Sequence, residues 1–496
     1  MEQIYYKSTR GEDRLVSPAQ AIITGIAPDG GLYVPHMIPS LDIELNDLMD
    51  ADYKEVAYQV MKVYLTDFSE GELRGCIDRA YDKKFDTPEI APLRKYGDTY
   101  FLELFHGPTL AFKDMALSIL PHLLKTAMAK LKVNKEIVIL TATSGDTGKA
   151  ALEGFADVEG TKIIVYFPEH GVSKIQKRQM VTQTGNNTYV IGIEGNFDDA
   201  QNGVKAIFAD EGLIQRMDRA NYTFSSANSI NIGRLVPQIA YYFYAYLKMC
   251  AAGDIRPGHQ INFAVPTGNF GNILAAYYAK KMGLPVNTLI CASNENKVLY
   301  DFFNTGVYDS VRDFIVTMSP SMDILISSNL ERLLYYASGE DAGSVRAMMD
   351  SLKEKGRYSI KDEMRKELKD FYGGFATEDE TAAAIRKVYK TWDYIIDTHT
   401  AVSYAVYEEY RQKTGDTTKT VIISTASPFK FTRDVMRSID QSYAGVDDFE
   451  LIKQLGELTG GHIPKAIKDL DTRPVIHKRV CKKDDMKKQL EEILGI

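Results

Sequence analysis

The chain has 496 residues, 45% hydrophobic and 25% charged, the composition of an ordinary globular protein too long for one compact core. A net charge of −8 with scattered lysines and arginines argues against a nucleic-acid partner. Cys76, Cys250, Cys291 and Cys481 lack the spacing of a zinc site or disulfide scaffold and fit a reducing compartment; the dispersed histidines form no H-x-x-x-H pair, so no metal is expected.

The N-terminus, Met1 to Lys7, carries charge early and lacks the apolar run of a signal peptide. Residues 1–95 join a Gly/Pro-rich opening, Ala27-Pro28-Asp29-Gly30-Gly31, to acid-rich helical sequence from Leu41, and read as an N-terminal domain. From residue 96 short β-branched runs alternate with helices. Strands are expected at 136–140, 161–167, 188–193, 261–265 and 421–423, with helices from Lys149 and over 273–282. This alternation implies an α/β fold with a mainly parallel sheet covered on both faces, which binds ligands at the carboxyl ends of its strands. The longest uncharged apolar stretch, 235–247, is too short to span a bilayer, so no membrane partner is expected and the cytoplasm is the expected location. Residues 431–496 read as a mostly helical extension whose Lys482, Lys483, Lys487 and Lys488 form a solvated helix face.

Four of the segments that carry chemistry are loops after expected strands or at helix starts; the fifth leads into a helix. In His106-Gly107-Pro108-Thr109-Leu110-Ala111-Phe112-Lys113-Asp114, a lysine follows a Gly-Pro turn inside an apolar, helix-leading run. Burial disfavours the ammonium and frees a nucleophilic amine, the chemistry of Schiff-base formation with a carbonyl or with pyridoxal phosphate; the plain alternative is a lysine snorkelling from a helix start. Gly268-Asn269-Phe270-Gly271-Asn272 follows a strand and opens a helix, so its N–H groups suit an anion, although a tight turn reads equally well. Thr143-Ser144-Gly145-Asp146-Thr147-Gly148 is a second such turn; Thr143 and Ala150 stand where a P-loop needs glycine and Ser or Thr, and helix capping by Ser144, Asp146 or Thr147 is the plain reading. Asn228-Ser229-Ile230-Asn231-Ile232-Gly233-Arg234 gathers amides, a hydroxyl and a guanidinium that suit a phosphate, or else a capped helix start. Ser424-Thr425-Ala426-Ser427-Pro428 offers hydroxyls after the last strand.

In this order the motifs resemble the threonine synthase family, within the tryptophan-synthase-β-like pyridoxal-phosphate (PLP) enzymes. Further matching stretches are Ser8-Thr9-Arg10-Gly11, Gly30-Gly31-Leu32-Tyr33-Val34-Pro35, Gly195-Asn196-Phe197-Asp198-Asp199, Ser319-Pro320-Ser321-Met322-Asp323 and Asp397-Thr398-His399-Thr400-Ala401. The length is similar to the family's longer microbial and fungal branch. The resemblance implies a fold-type-II enzyme with two lobes on mainly parallel sheets: an N-terminal domain (1–95), a catalytic domain (96–430) and a helical C-terminal extension (431–496). It further implies that Lys113 bonds covalently to PLP, that Gly268, Asn269, Phe270, Gly271 and Asn272 hold the cofactor phosphate, and that Thr425 faces the pyridine nitrogen. The turn with Thr143, Ser144, Asp146 and Thr147 would hold the substrate carboxylate; Ser229, Asn231 and Arg234, and less strongly Lys174, would hold the substrate phosphate. An ionised Asp146 against the cofactor's phenolate would be repulsive, which leaves its role open. The implied activity is that of a carbon–oxygen lyase converting O-phospho-L-homoserine and water to L-threonine and phosphate. The alternative is a phospholyase releasing 2-oxobutyrate, ammonia and phosphate. A monomer is the implied assembly, with a homodimer second.

Overall fold

The β-branched runs build two sheets in the computed structural model, which describes residues 2–11, 14–143, 145–170 and 172–496. The smaller sheet is parallel throughout, in the order Arg479–Lys482, Thr188–Glu194, Thr161–Pro168, Glu136–Ala142, Tyr222–Ser225. The larger runs Phe371–Phe375, Val286–Ser293, Ile261–Pro266, Thr420–Ser424, Thr99–Glu103, Leu93–Tyr96. Its first five strands are parallel, and Leu93–Tyr96 folds back antiparallel on its neighbour. The chain is therefore a two-lobed α/β protein, as expected. The five expected strands are present, each extended by one or two residues, and the 273–282 helix begins earlier, as Gly271–Lys281.

Burial follows the sheet faces. One apolar core takes the N-terminal segment (Ile4, Tyr6, Val34), the helix Ile232–Ala251 and the inner faces of both sheets, with Ile139, Val165, Phe263 and Ile423 all buried. The other face of the large sheet (Phe101, Ala264, Ile290, Ile422) is covered by Ala401 and Val402 of the helix Thr398–Thr414 and by Val435, Met436 and Leu451. The apolar stretch at 235–247 is thus core, and no helix among the described residues is long and apolar enough to cross a membrane.

The region beyond 430 is mostly helical but holds one unexpected strand. Arg479–Lys482 adds to the edge of the smaller sheet beside Thr188–Glu194, and the helix Met486–Leu494 covers that sheet's outer face through Met486, Leu490 and Leu494. Four residues with charged ends carry no alternation to read, so only the neighbouring edge reveals them as a strand. The terminal lysines are anchored as well as solvated: Lys483 pairs with Asp199 at 3.2 Å, and Lys487 pairs with Asp210.

Candidate active site

The loops converge on Lys113. Leu110 adopts φ 61° as its N–H donates to the Gly107 carbonyl at 3.1 Å, turning the chain back. The loop after the last strand then straps the segment. Phe112 N–H donates to the Thr425 carbonyl at 2.8 Å, and Ser427 N–H donates to that of Leu110 at 3.0 Å. Asp114 accepts hydrogen bonds from the Thr109 N–H and hydroxyl at 2.7 and 2.6 Å, and its burial pushes its carboxyl up to about 6. Lys113 precedes the short helix Asp114–Leu117 with its side chain 12% exposed, largely withdrawn from water. Burial lowers its ammonium below the usual range; the Asp146 carboxylate 3.8 Å away opposes that, while Lys430 and Arg234 reinforce it. The amine is therefore held towards its uncharged, nucleophilic form.

Asp146 faces this amine from the start of the helix Asp146–Phe155. The preceding Gly145 sits at φ 144°, and a Cβ there would lie 2.5 Å from the Gln176 amide, so glycine is required by both conformation and space. In place of the expected capping by Asp146 or Thr147, the Thr143 hydroxyl accepts from the Gly145 and Gly148 N–H groups at 3.0 and 2.9 Å. The glycine N-cap has no side chain, so the hydroxyl at the strand end takes the free donors and leaves the carboxylate of Asp146 to turn inward. Ser144 lies outside the described residues, and Thr147 is partly exposed in the first helical turn.

Asp146 accepts from the Ser321 hydroxyl at 2.8 Å and the Gln176 amide at 3.0 Å, and lies 3.2 Å from Lys430 Nζ. Burial alone raises a carboxyl, but Lys430, Lys113 and the Ser321 hydroxyl outweigh it and hold Asp146 well below the carboxylate range. The motif reading missed Lys430. Its side chain is fully buried, and Nζ also donates to the Thr109 carbonyl at 2.9 Å. The available signal was a lone lysine in Phe429-Lys430-Phe431, just after the Ser427-Pro428 turn.

Ser321, Asp397 and His399 had entered only through the resemblance. His399 Nε2 accepts the Ser321 N–H at 3.1 Å, and Nδ1 donates to Asp397 at 2.8 Å. These partners assign a tautomer with the proton on Nδ1. Ser321 is also 3.4 Å from Lys113 Nζ through its hydroxyl, so the histidine fixes a loop that touches both the amine and Asp146.

The Gly268–Asn272 loop forms a cradle beside Ser321. A Cβ on Gly268 would approach the Ser321 carbonyl to 2.8 Å, and Phe270 is held at φ 64°. Asn269 carries the loop's anchor, its carbonyl accepting from the Asn329 N–H at 3.1 Å and side-chain amide at 3.0 Å. That amide also reaches Ser229 Oγ at 3.4 Å, which brings Ser229 next to Gly271. Asn272 accepts from the Tyr241 and Tyr242 hydroxyls at 2.6 Å each, while its Nδ2 is buried with no partner.

Asn231 and Arg234 differ. The Asn231 amide is committed to the fold: Nδ2 donates to the Ile22 and Ser226 carbonyls, and Oδ1 accepts the Gly233 N–H at the start of the helix Ile232–Ala251. Arg234 is 3% exposed; its Nη1 donates to the Ala227 carbonyl at 2.8 Å, and its Nε has no hydrogen-bond partner among the described residues. Burial without a counter-charge pushes its pKa down to about 10. No carboxylate pairs with it among the described residues. Lys174 lies apart, exposed and paired with Asp447 at 3.0 Å.

A buried amine of lowered basicity, a strained glycine loop with an unpartnered amide N–H, and an unbalanced guanidinium fit an anionic carbonyl cofactor together with an anionic substrate. The comparisons with known proteins agree. Family models match "Threonine synthase N terminus" over residues 5–81, "Pyridoxal-phosphate dependent enzyme" over 88–426 and "Threonine synthase, C-terminal" over 400–489. The chain is 39% identical to the threonine synthase of Pseudomonas aeruginosa, over 87% of this chain and 90% of that protein. It is 37% identical to threonine synthase-like 1 of Homo sapiens, spanning 95% of this chain but 63% of that longer protein. The crystal structure of PLP-bound threonine synthase from Brucella melitensis superposes with a TM-score of 0.87 at 36% identity, covering 99% of both chains. Matched over most of its length by these models and relatives, the chain belongs to the threonine synthase family of pyridoxal-phosphate-dependent enzymes.

Proposed function

We propose that this protein is a threonine synthase that converts O-phospho-L-homoserine and water to L-threonine and phosphate. The observation that carries this reading is the pairing, in one buried region, of an amine depressed by burial with an arginine that has no acid to balance it. The first suits covalent work on a carbonyl; the second suits a substrate that brings its own negative charge.

Pyridoxal phosphate supplies the electron sink that makes the α-proton of a bound amino acid removable. Lys113 would hold its aldehyde carbon, and the Gly268–Asn272 loop, with the Asn272 side-chain N–H and Ser229, would hold its phosphate. Thr425 would offer a neutral hydroxyl to the ring nitrogen, which would moderate the sink. The Thr143–Thr147 turn takes the substrate carboxylate. Lys430, 3.2 Å from Asp146, would offset the repulsion that an ionised Asp146 would meet near the cofactor's phenolate, which supports a place for this carboxylate at the site. Lys113, as a free amine, would take the α-proton; a β-proton would be lost next, the γ-phosphate would depart, and Cγ would take up a proton to become the methyl group. Arg234 receives the charge of that phosphate. Water then adds at Cβ, and return of a proton to Cα completes threonine.

The test is incubation of the purified protein with O-phospho-L-homoserine while phosphate and threonine are followed together. Equal yields support the reading, and 2-oxobutyrate with ammonia would replace it by phospholyase activity. The same reading extends to a cytoplasmic monomer with domains at 1–95, 96–430 and 431–496; native mass spectrometry checks the assembly, and limited proteolysis checks the boundaries.

A further inference from the structure

A cavity of about 450 Å³ opens between the smaller sheet and the C-terminal extension, within the size range of small-molecule sites. Its floor is apolar, from Phe167, Val190 and Phe449, with Val475 at its edge, while the rest of its rim is cationic. Five Lys and Arg side chains face it against two carboxylates, in a chain whose net charge is −8. Much of that charge is bound locally: Lys177 pairs with Glu169, Lys174 with Asp447 at 3.0 Å and Arg479 with Glu492 at 3.5 Å across an exposed surface, and Arg178 donates to the Leu470 and Asp471 carbonyls at 2.9 and 2.8 Å. Lys478 has no ion-pair partner among the described residues, and Lys174 lies 5.4 Å over the Phe449 ring.

One wall is the helix Lys174–Val181. Lys174, Lys177, Arg178 and Val181 line the cavity at i, i+3, i+4 and i+7, which is one helix face. Gln176 projects from the opposite face, and its amide donates to Asp146 at 3.0 Å. A second link leaves from His477, whose Nε2 donates to the Gln183 carbonyl at 2.9 Å; the Gln183 side chain in turn accepts from Lys149 on the helix that begins with Asp146. The cavity therefore shares two walls with the catalytic turn while standing outside the catalytic site.

We propose that this cavity is a regulatory site for an organic anion, a carboxylate, sulfonate or phosphate on an aromatic or acyl body, and that its occupancy reaches Asp146 through Gln176. The apolar floor takes the body, Lys478 and Arg479 take the charge, and grip on the Lys174–Val181 helix shifts the amide that holds Asp146.

The test uses the holoenzyme and 8-anilinonaphthalene-1-sulfonate as probe. Saturable one-site fluorescence is expected, weakened at least fivefold in Lys478→Glu and abolished in Val475→Trp, both substitutions at the cavity rim. The uncharged N-phenyl-1-naphthylamine should bind at least fivefold more weakly. Occupancy should change the rate of borohydride reduction at Lys113 at least twofold, and Gln176→Leu should erase that change while still binding the probe. Unsaturable binding, wild-type binding in both rim variants, equal affinity for the uncharged dye, an unchanged reduction rate, or a change that persists in Gln176→Leu each overturns the proposal. None of these readouts needs turnover, so absent threonine formation counts against the proposed activity alone.

Discussion

Lys430 and Arg234 are both cations excluded from water, yet the fold treats them oppositely. Lys430 has Asp146 at 3.2 Å and the Thr109 carbonyl at 2.9 Å, so its charge is answered within the protein. Arg234 has a neutral carbonyl and an orphaned Nε. A pKa near 10 in place of 12.5 corresponds to roughly 3 kcal/mol of burial that no carboxylate among the described residues offsets. The first cation is part of the architecture. The second is a cost carried by the unliganded protein and returned when an anion arrives, which separates a structural charge from a recognition charge.

The largest effect is expected at the group on which both cations act. Lys113→Ala should abolish borohydride-reducible cofactor absorption and lower turnover by at least about 10⁴-fold; a retained reducible band would place the covalent bond on another lysine. Next, Arg234→Met should lower kcat/KM for the phosphorylated substrate by about 10³-fold while raising the melting temperature of the substrate-free protein. A lowered melting temperature with equal loss of cofactor affinity would make Arg234 structural and erase the contrast.

Lys430→Met should do the reverse to stability. It strands the Asp146 carboxylate and should destabilise the fold by about 3 kcal/mol in denaturant titration, with Asp146→Asn in the same chain restoring most of the loss. Additive losses in that double-mutant cycle would show that the two residues do not act as a pair.

The smallest effect belongs to a further balanced cation, His106. Burial lowers its pKa, but hydrogen bonds to Asp86 and Glu103 lift it to about 9. Because the folded value lies above the unfolded 6.5, the imidazolium contributes fully below pH 6.5, and that contribution is lost as pH rises through 9. His106→Gln should therefore cost roughly 2 kcal/mol at pH 6 after solvent screening is discounted, and nothing at pH 10. Parallel stability curves for the two proteins across that range would refute the assignment.

The parts of this site that could be read from sequence are those written in consecutive residues. The Gly-Pro turn before Lys113 and the glycine at 268 mark backbone that must bend or approach closely, and such demands leave a local trace. Asn231 shows the limit of local reading: an amide near an arginine suggests a phosphate donor, whereas in the fold its Nδ2 is bound to the Ile22 and Ser226 carbonyls and its Oδ1 caps the helix at Gly233. Lys430 and Gln176 left almost no trace, since each acts on Asp146 from a position far along the chain. His399 stood in a motif, but its part in fixing Ser321 is set by a contact across 78 residues.

Sequence alone determined the alternation of strand and helix, the loops at the carboxyl ends of strands, and the family to which the motifs point. Periodicity and turn chemistry act over a few residues, so they can be read without a fold. The tertiary structure alone decided the charge state of the catalytic region: which lysine answers Asp146, which arginine goes unanswered, and how far each is removed from water. Those are sums over neighbours brought together from distant segments, and electrostatic energy depends on distance and burial rather than on order along the chain.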